Sequence, residues 1–180
     1  MRILIAGILG GIAMFVWASL AHTVLGLGQV GVKTVTNEQA LLTEIKQATG
    51  DKSGLYLFPY VSEKSSAAMS SPGASGFLVY STGGFSMNPS TLGREASLET
   101  VQSLIAALLL AWAAIAGYWR RVGFVLFAGL AVALSTSGSY WVWYNFPTDY
   151  TLGYILTDLI RYLVAGLVLA AFLRPKGSAA

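Results

Sequence analysis

The stretch TDLIRYLVAGLVLAAFL, residues 157–173, decides the fold: it is apolar for long enough to cross a bilayer, yet carries Asp158 and Arg161 three positions apart. About 20 predominantly apolar residues suffice to span a hydrocarbon core ~30 Å thick. Three more segments share this character: residues 3–25, 100–119 and 122–146 contain no acid or strong base, whereas the last segment, 150–173, holds the charged pair. All four are expected to be helices, because open strands cannot satisfy their backbone groups in lipid.

Composition agrees. Of 180 residues, 55% are hydrophobic and 11% charged, the balance of an integral membrane protein rather than a soluble domain. The formal net charge of +3 is unevenly placed. Residues 27–98 set Lys33, Lys46, Lys52, Lys64 and Arg94 against Glu38, Glu44, Asp51, Glu63 and Glu95. Arg2, Arg120, Arg121, Arg174 and Lys176 fall in the N-terminus, the link between the second and third helices, and the C-terminal tail. By the positive-inside rule these three pieces face the cytoplasm and residues 27–98 face out. The basic excess is thus a topology signal and does not call for nucleic acid. Tyr118 and Trp119 at one level, and Tyr140, Trp141, Trp143, Tyr144 and Tyr150 at the other, suit two interfacial aromatic belts.

The expected fold class is therefore a mainly α membrane protein, N-in and C-in. Residues 1–26 form the first transmembrane helix, 27–98 a small extracytoplasmic α/β subdomain, and 99–180 a three-helix region with a short tail. Size and style suggest a bacterial inner membrane. An alternative makes helix 1 a signal peptide, with Ser19 and Ala21 before a cleavage at His22. Within 27–98, Thr36 is expected to cap a helix that Gly50 stops. GLYLFPYV (54–61) and GFLVYS (76–81) read as strands able to pair antiparallel, and the polar run 62–75 between them as a flexible link. The chain has no cysteine, which excludes disulfides and thiolate chemistry.

Small residues four apart let membrane helices approach closely. Gly7 with Gly11, Ala107 with Ala111, and Ala113 with Gly117 are such pairs, serving either this bundle or an interface to a second copy or another membrane protein. Polar residues are rarer. Arg161 lies near the middle of the fourth helix and Asp158 about 5 Å closer to the outside, on the same face. A mid-membrane charge costs roughly 2.5–3.5 kcal/mol, so the pair must face a bundle interior, a wet cavity or a partner. Ser135, Thr136, Ser137 and Ser139 of the third helix, Ser19 and His22 of the first, and Tyr154 and Thr157 of the fourth share the outer leaflet. Any site should therefore open outward. One reading makes Asp158 and Arg161 a structural ion pair, in which case Asp158→Asn alone would strand the guanidinium. The others are a contact to a partner subunit or lipid head group, and transport or catalysis.

Neither a metal nor a cofactor is expected, since the chain has a single histidine. GLGQVG (26–31) spells a dinucleotide fingerprint but follows a membrane helix rather than a strand, and STGGFS lacks the residues of a phosphate loop. An intramembrane dyad of His22 with Ser137 or Ser139 is geometrically conceivable.

The run from Gly10 to Leu42, then GLYLFP, then GFLVYS before a membrane helix, resembles an uncharacterised family of small bacterial four-helix inner-membrane proteins. Trp17, Ala21, His22, Leu27 and Gly28 carry the likeness, which covers about half the chain. It implies an uncleaved first helix and brings no activity. The functional expectation is a non-enzymatic accessory or interaction subunit. The alternatives are a small carrier or channel for an ionic solute and, more remotely, a membrane enzyme acting on lipid or peptide at the outer leaflet with His22 as base.

Overall fold

The computed structural model describes residues 1–59 and 73–174. It is mainly helical, and four of its helical segments are long and apolar enough to cross a membrane, as in a multi-pass membrane protein. These are α1 (Arg2–Thr23), α3 (Pro89–Ala113), the composite segment Tyr118–Tyr144, and α6 (Thr148–Phe172). The composite segment runs from α4 (Tyr118–Ala133) through one π-helical turn (Leu134–Gly138) into α5 (Ser139–Tyr144).

The chain divides into two compact units: Met1–Val32 with Met87–Ala180, and Lys33–Ser86. The second lies within the 27–98 segment read from the sequence. It contains α2 (Glu38–Thr49), whose N-cap is Asn37 rather than Thr36: the Asn37 Oδ1 accepts from the Ala40 amide, satisfying one of the free donors of the first turn. Gly50, left-handed, ends it. β1 (Gly54–Phe58) and β2 (Gly76–Tyr80) pair antiparallel, Gly54 opposite Tyr80 and Phe58 opposite Gly76. Residues 60 and 61 of the first expected strand, and the expected flexible link up to residue 72, lie outside the described residues.

The helical unit is arranged with α1 and α6 at its centre, α3 against α1, and α4 against α6. The α1–α3 contact is tight because α1 presents glycines to it. A Cβ at Gly7 would collide with Leu104, one at Gly11 with the backbone of Thr100, and one at Gly10 with the Ser103 hydroxyl. Ala107 is fully buried opposite this face, while Ala111 is only half-buried. The pairing of Ala113 with Gly117 is not realised. Ala113 is the last residue of α3, Ala114 turns left-handed, and Gly117 is the N-cap of α4, so the two never share a helix.

That early end also moves the second span. The helix expected at 100–119 begins at Pro89, capped by the Asn88 side chain, and stops at Ala113. Arg121, expected in a solvated link, is 5% exposed. Its Nε and Nη2 donate to the Ala170 carbonyl at 3.2 and 3.0 Å, and Tyr118 donates to the Leu167 carbonyl at 3.1 Å. A cation on the last carbonyls of α6 satisfies orphan acceptors and complements the negative end of the helix dipole.

Candidate functional site

The α3 helix carries Glu95, Glu99 and Ser103 at intervals of four, a spacing that puts them on one face. This polar stripe runs into the bundle. Glu95 is exposed near the start of the helix, whereas Glu99 and Ser103 are both 0% exposed. Glu99 meets α6: the Arg161 Nε lies 3.2 Å from Glu99 Oε1, and the Arg161 Nη1 lies 3.3 Å from Asp158 Oδ1. Both are ion-pair contacts. The Glu99 contact lacks hydrogen-bond alignment, since both Glu99 carboxylate oxygens, Arg161 Nε and the Ser103 hydroxyl have no hydrogen-bond partner.

The ion pair expected from the sequence is therefore part of a triad. Glu99 stands one residue before the expected span 100–119 and one after the segment 27–98, so no charge on α3 was expected to face the bundle. The available signal was the i, i+4, i+8 recurrence of Glu95, Glu99 and Ser103, which carries two acids and a hydroxyl along one face of the helix.

Above the triad opens a cleft of about 560 Å³. Helix α1 supplies Ser19 and His22, the π-helical turn Thr136 and Ser137, α6 Tyr154, Asp158 and Arg161, and α3 Glu95. The His22 ring stands edge-on to Tyr154 with centroids 6.2 Å apart, and it packs so closely on Gly28 that any side chain there would overlap it. Phe15, Ala18, Met87 and Leu92 make the apolar part of the wall.

Three expected members of the cluster stand elsewhere. Thr157 is buried, its hydroxyl donating to the Gly153 carbonyl at 2.8 Å while its own carbonyl accepts from the Trp17 indole at 3.0 Å. It clasps α1 to α6 and does not line the cleft. Ser139 lines a separate apolar groove with Trp141, Trp143 and Leu152. Ser135 is exposed and lines neither cavity. Consecutive side chains of a helix point about 100° apart, so Ser135, Thr136, Ser137 and Ser139 cannot all face one cleft.

Beyond the cleft, each helix turns apolar in the direction of the Arg2 end of α1. Met14, Ala107, Leu110, Val125, Ala165 and Leu169 pack into one buried cluster. Tyr162 joins it through its ring, which sits over Gly129, while its hydroxyl donates to Gln102 Oε1 at 3.3 Å. No protein-family model, curated protein or solved structure matches the chain.

Proposed function

We propose that this chain is a bacterial inner-membrane protein that acts as a non-enzymatic accessory subunit, recognising an ionic group in a cleft that opens on the extracytoplasmic side. One observation carries this reading: along α1, α3 and α6 the cleft residues give way to the close-packed cluster around Met14, Leu110 and Leu169, so the cleft is blind toward the Arg2 end. A blind polar cleft binds but does not conduct. The orientation, with both termini inside and Lys33–Ser86 outside, is supported by Arg2, Arg120, Arg121 and Arg174 gathering at the ends of the helices away from the cleft.

Two experiments test this. Because the chain has no cysteine, single cysteines at Ser53 and at Arg174 report sidedness directly. Impermeant maleimide should label the first and not the second in intact spheroplasts, and the reverse pattern inverts the proposal. Native mass spectrometry of the gently extracted protein should show a stoichiometric membrane partner; a lone chain removes the accessory reading.

The carrier reading is favoured by a different observation, the Glu99–Arg161–Asp158 triad, since intramembrane ionisable clusters are common in solute pathways. It requires the apolar cluster to open. Solute-dependent charge movement in proteoliposomes of the purified protein would establish it, and its absence leaves the blind cleft as a binding site.

A further inference from the structure

The charge balance of the cleft selects the sign of its occupant. We infer that it receives an organic cation of the ammonium class, bound between Glu95 and Asp158 and against the ring of Tyr154. The inference rests on the cleft being a binding site, as proposed above, but not on the existence of a partner subunit.

Among the described residues Arg161 is the one guanidinium that lines the cleft, and it is already engaged twice, by Asp158 at 3.3 Å and by Glu99 at 3.2 Å. Glu99 is 0% exposed, and neither of its oxygens has a hydrogen-bond donor. Glu99 does not line the cleft; it holds Arg161 from behind, on the α3 side. The cleft lining itself thus carries two acids, Glu95 and Asp158, against the single guanidinium of Arg161, a formal excess of one negative charge before Glu99 is counted. An anion entering here would meet uncompensated like charge in a poorly solvated place, whereas a cation would relieve it.

The lining says which cation. Among the described residues no cluster of metal-ligating side chains is present, and Phe15, Ala18, Met87 and Leu92 give the cleft an apolar wall that suits an alkyl or aryl group. Tyr154, Phe15 and His22 supply ring faces and edges, and cations are attracted to aromatic faces. Ser19, Thr136 and Ser137 add hydroxyl acceptors for N–H donors. A volume of about 560 Å³ falls in the range of small-molecule sites.

The test uses the full chain in a nonionic detergent and three isosteric probes: phenethylammonium, 2-phenylethanol and phenylacetate. Isothermal titration should show saturable binding of the ammonium alone, and Glu95→Gln should weaken it about tenfold or more, as expected when a charge-assisted hydrogen bond is lost. Tyr154→Leu should weaken it as well, with the fold retained by circular dichroism. Equal binding of the three probes, stronger binding of phenylacetate, or unchanged ammonium affinity in both variants overturns the inference. Loss of a partner in native mass spectrometry removes the accessory reading and leaves this result standing. A repeat in nanodiscs separates two sources of the same chemistry. Weaker phenethylammonium binding in phosphatidylethanolamine than in a neutral glycolipid identifies a competing lipid amine, and equal binding identifies a soluble one.

Discussion

Arg161 on α6 lies 3.2 Å from Glu99 on α3, and this contact, with the Tyr162–Gln102 hydrogen bond, joins two helices that each pack mainly on α1 or α4. It changes what each charge on α6 is worth. With Asp158 alone as partner, loss of that carboxylate would strand the guanidinium. With Glu99 behind it, Arg161 keeps a counter-ion.

Asp158→Asn should accordingly be tolerated better than Arg161→Met. The latter leaves two carboxylates without their shared cation, one of them fully buried, and breaking such a buried arrangement costs about 3–5 kcal/mol. Replacing Glu99, Asp158 and Arg161 together by apolar residues should recover most of the loss. Thermal unfolding in detergent ranks the variants, and an Arg161→Met protein as stable as the parent would refute the structural weight given to the triad.

The α1–α3 contact predicts opposite signs for two glycine-to-alanine changes. At Gly11 the new methyl meets the Thr100 backbone, which cannot move aside, so Gly11→Ala should cost about 1–3 kcal/mol. At Gly93, on an exposed part of α3 with nothing within 4 Å of the added atom, the same change should stabilise by up to about 1 kcal/mol through helix propensity and a less flexible unfolded chain. Equal effects at both positions would mean the helices are not packed as described.

Arg121 separates topology from packing. Arg121→Lys keeps the positive charge beside the span, so cysteine labelling should report an unchanged orientation. Its ammonium cannot reproduce the two donors that converge on the Ala170 carbonyl, and the protein should still lose stability. Arg121→Met should lose more, about 1.5–3 kcal/mol for a charged hydrogen bond. A lysine variant with full stability would show that charge alone is what matters there.

In the Lys33–Ser86 unit the Tyr80 hydroxyl donates to Asp51 Oδ1 at 2.6 Å. That bond, then burial, then the carboxylate charge hold the phenol above its ordinary range. A raised pKa favours the protonated form, so the stabilisation is complete below the usual tyrosine value of about 10 and is lost as the pH climbs through the folded value. Alkaline titration followed at 295 nm should show Tyr80 ionising late, and the amplitude of the late phase should fall by one tyrosine when its partner carboxylate is removed. Asp51→Asn, which suits the left-handed backbone at that position, should bring it back toward the others. No change in the titration would place the phenol away from Asp51.

Four spans, a helix closed by Gly50 and a pairing of residues 54–58 with 76–80 could be read from the chain directly, because each depends on a local sum or a short-range rule. Apolar length sets a span, a left-handed glycine ends a helix, and alternation with turn residues sets a hairpin. Glu99 and Arg121 could not be read this way. Each lies at the edge of an apolar run, where one turn of helix either way decides between water and the bundle interior, and hydropathy summed along the sequence does not contain the helix's rotation or its neighbours. Only the packing of α3 on α1 through Gly7, Gly10 and Gly11 turns Glu99 toward Arg161, and only the early stop of α3 at Ala113 carries Arg121 to the end of α6. The sequence by itself determined how many times the chain can cross a membrane. Tertiary structure decided which charges meet inside, because a buried ion pair is chosen by the relative rotation of helices far apart in the chain.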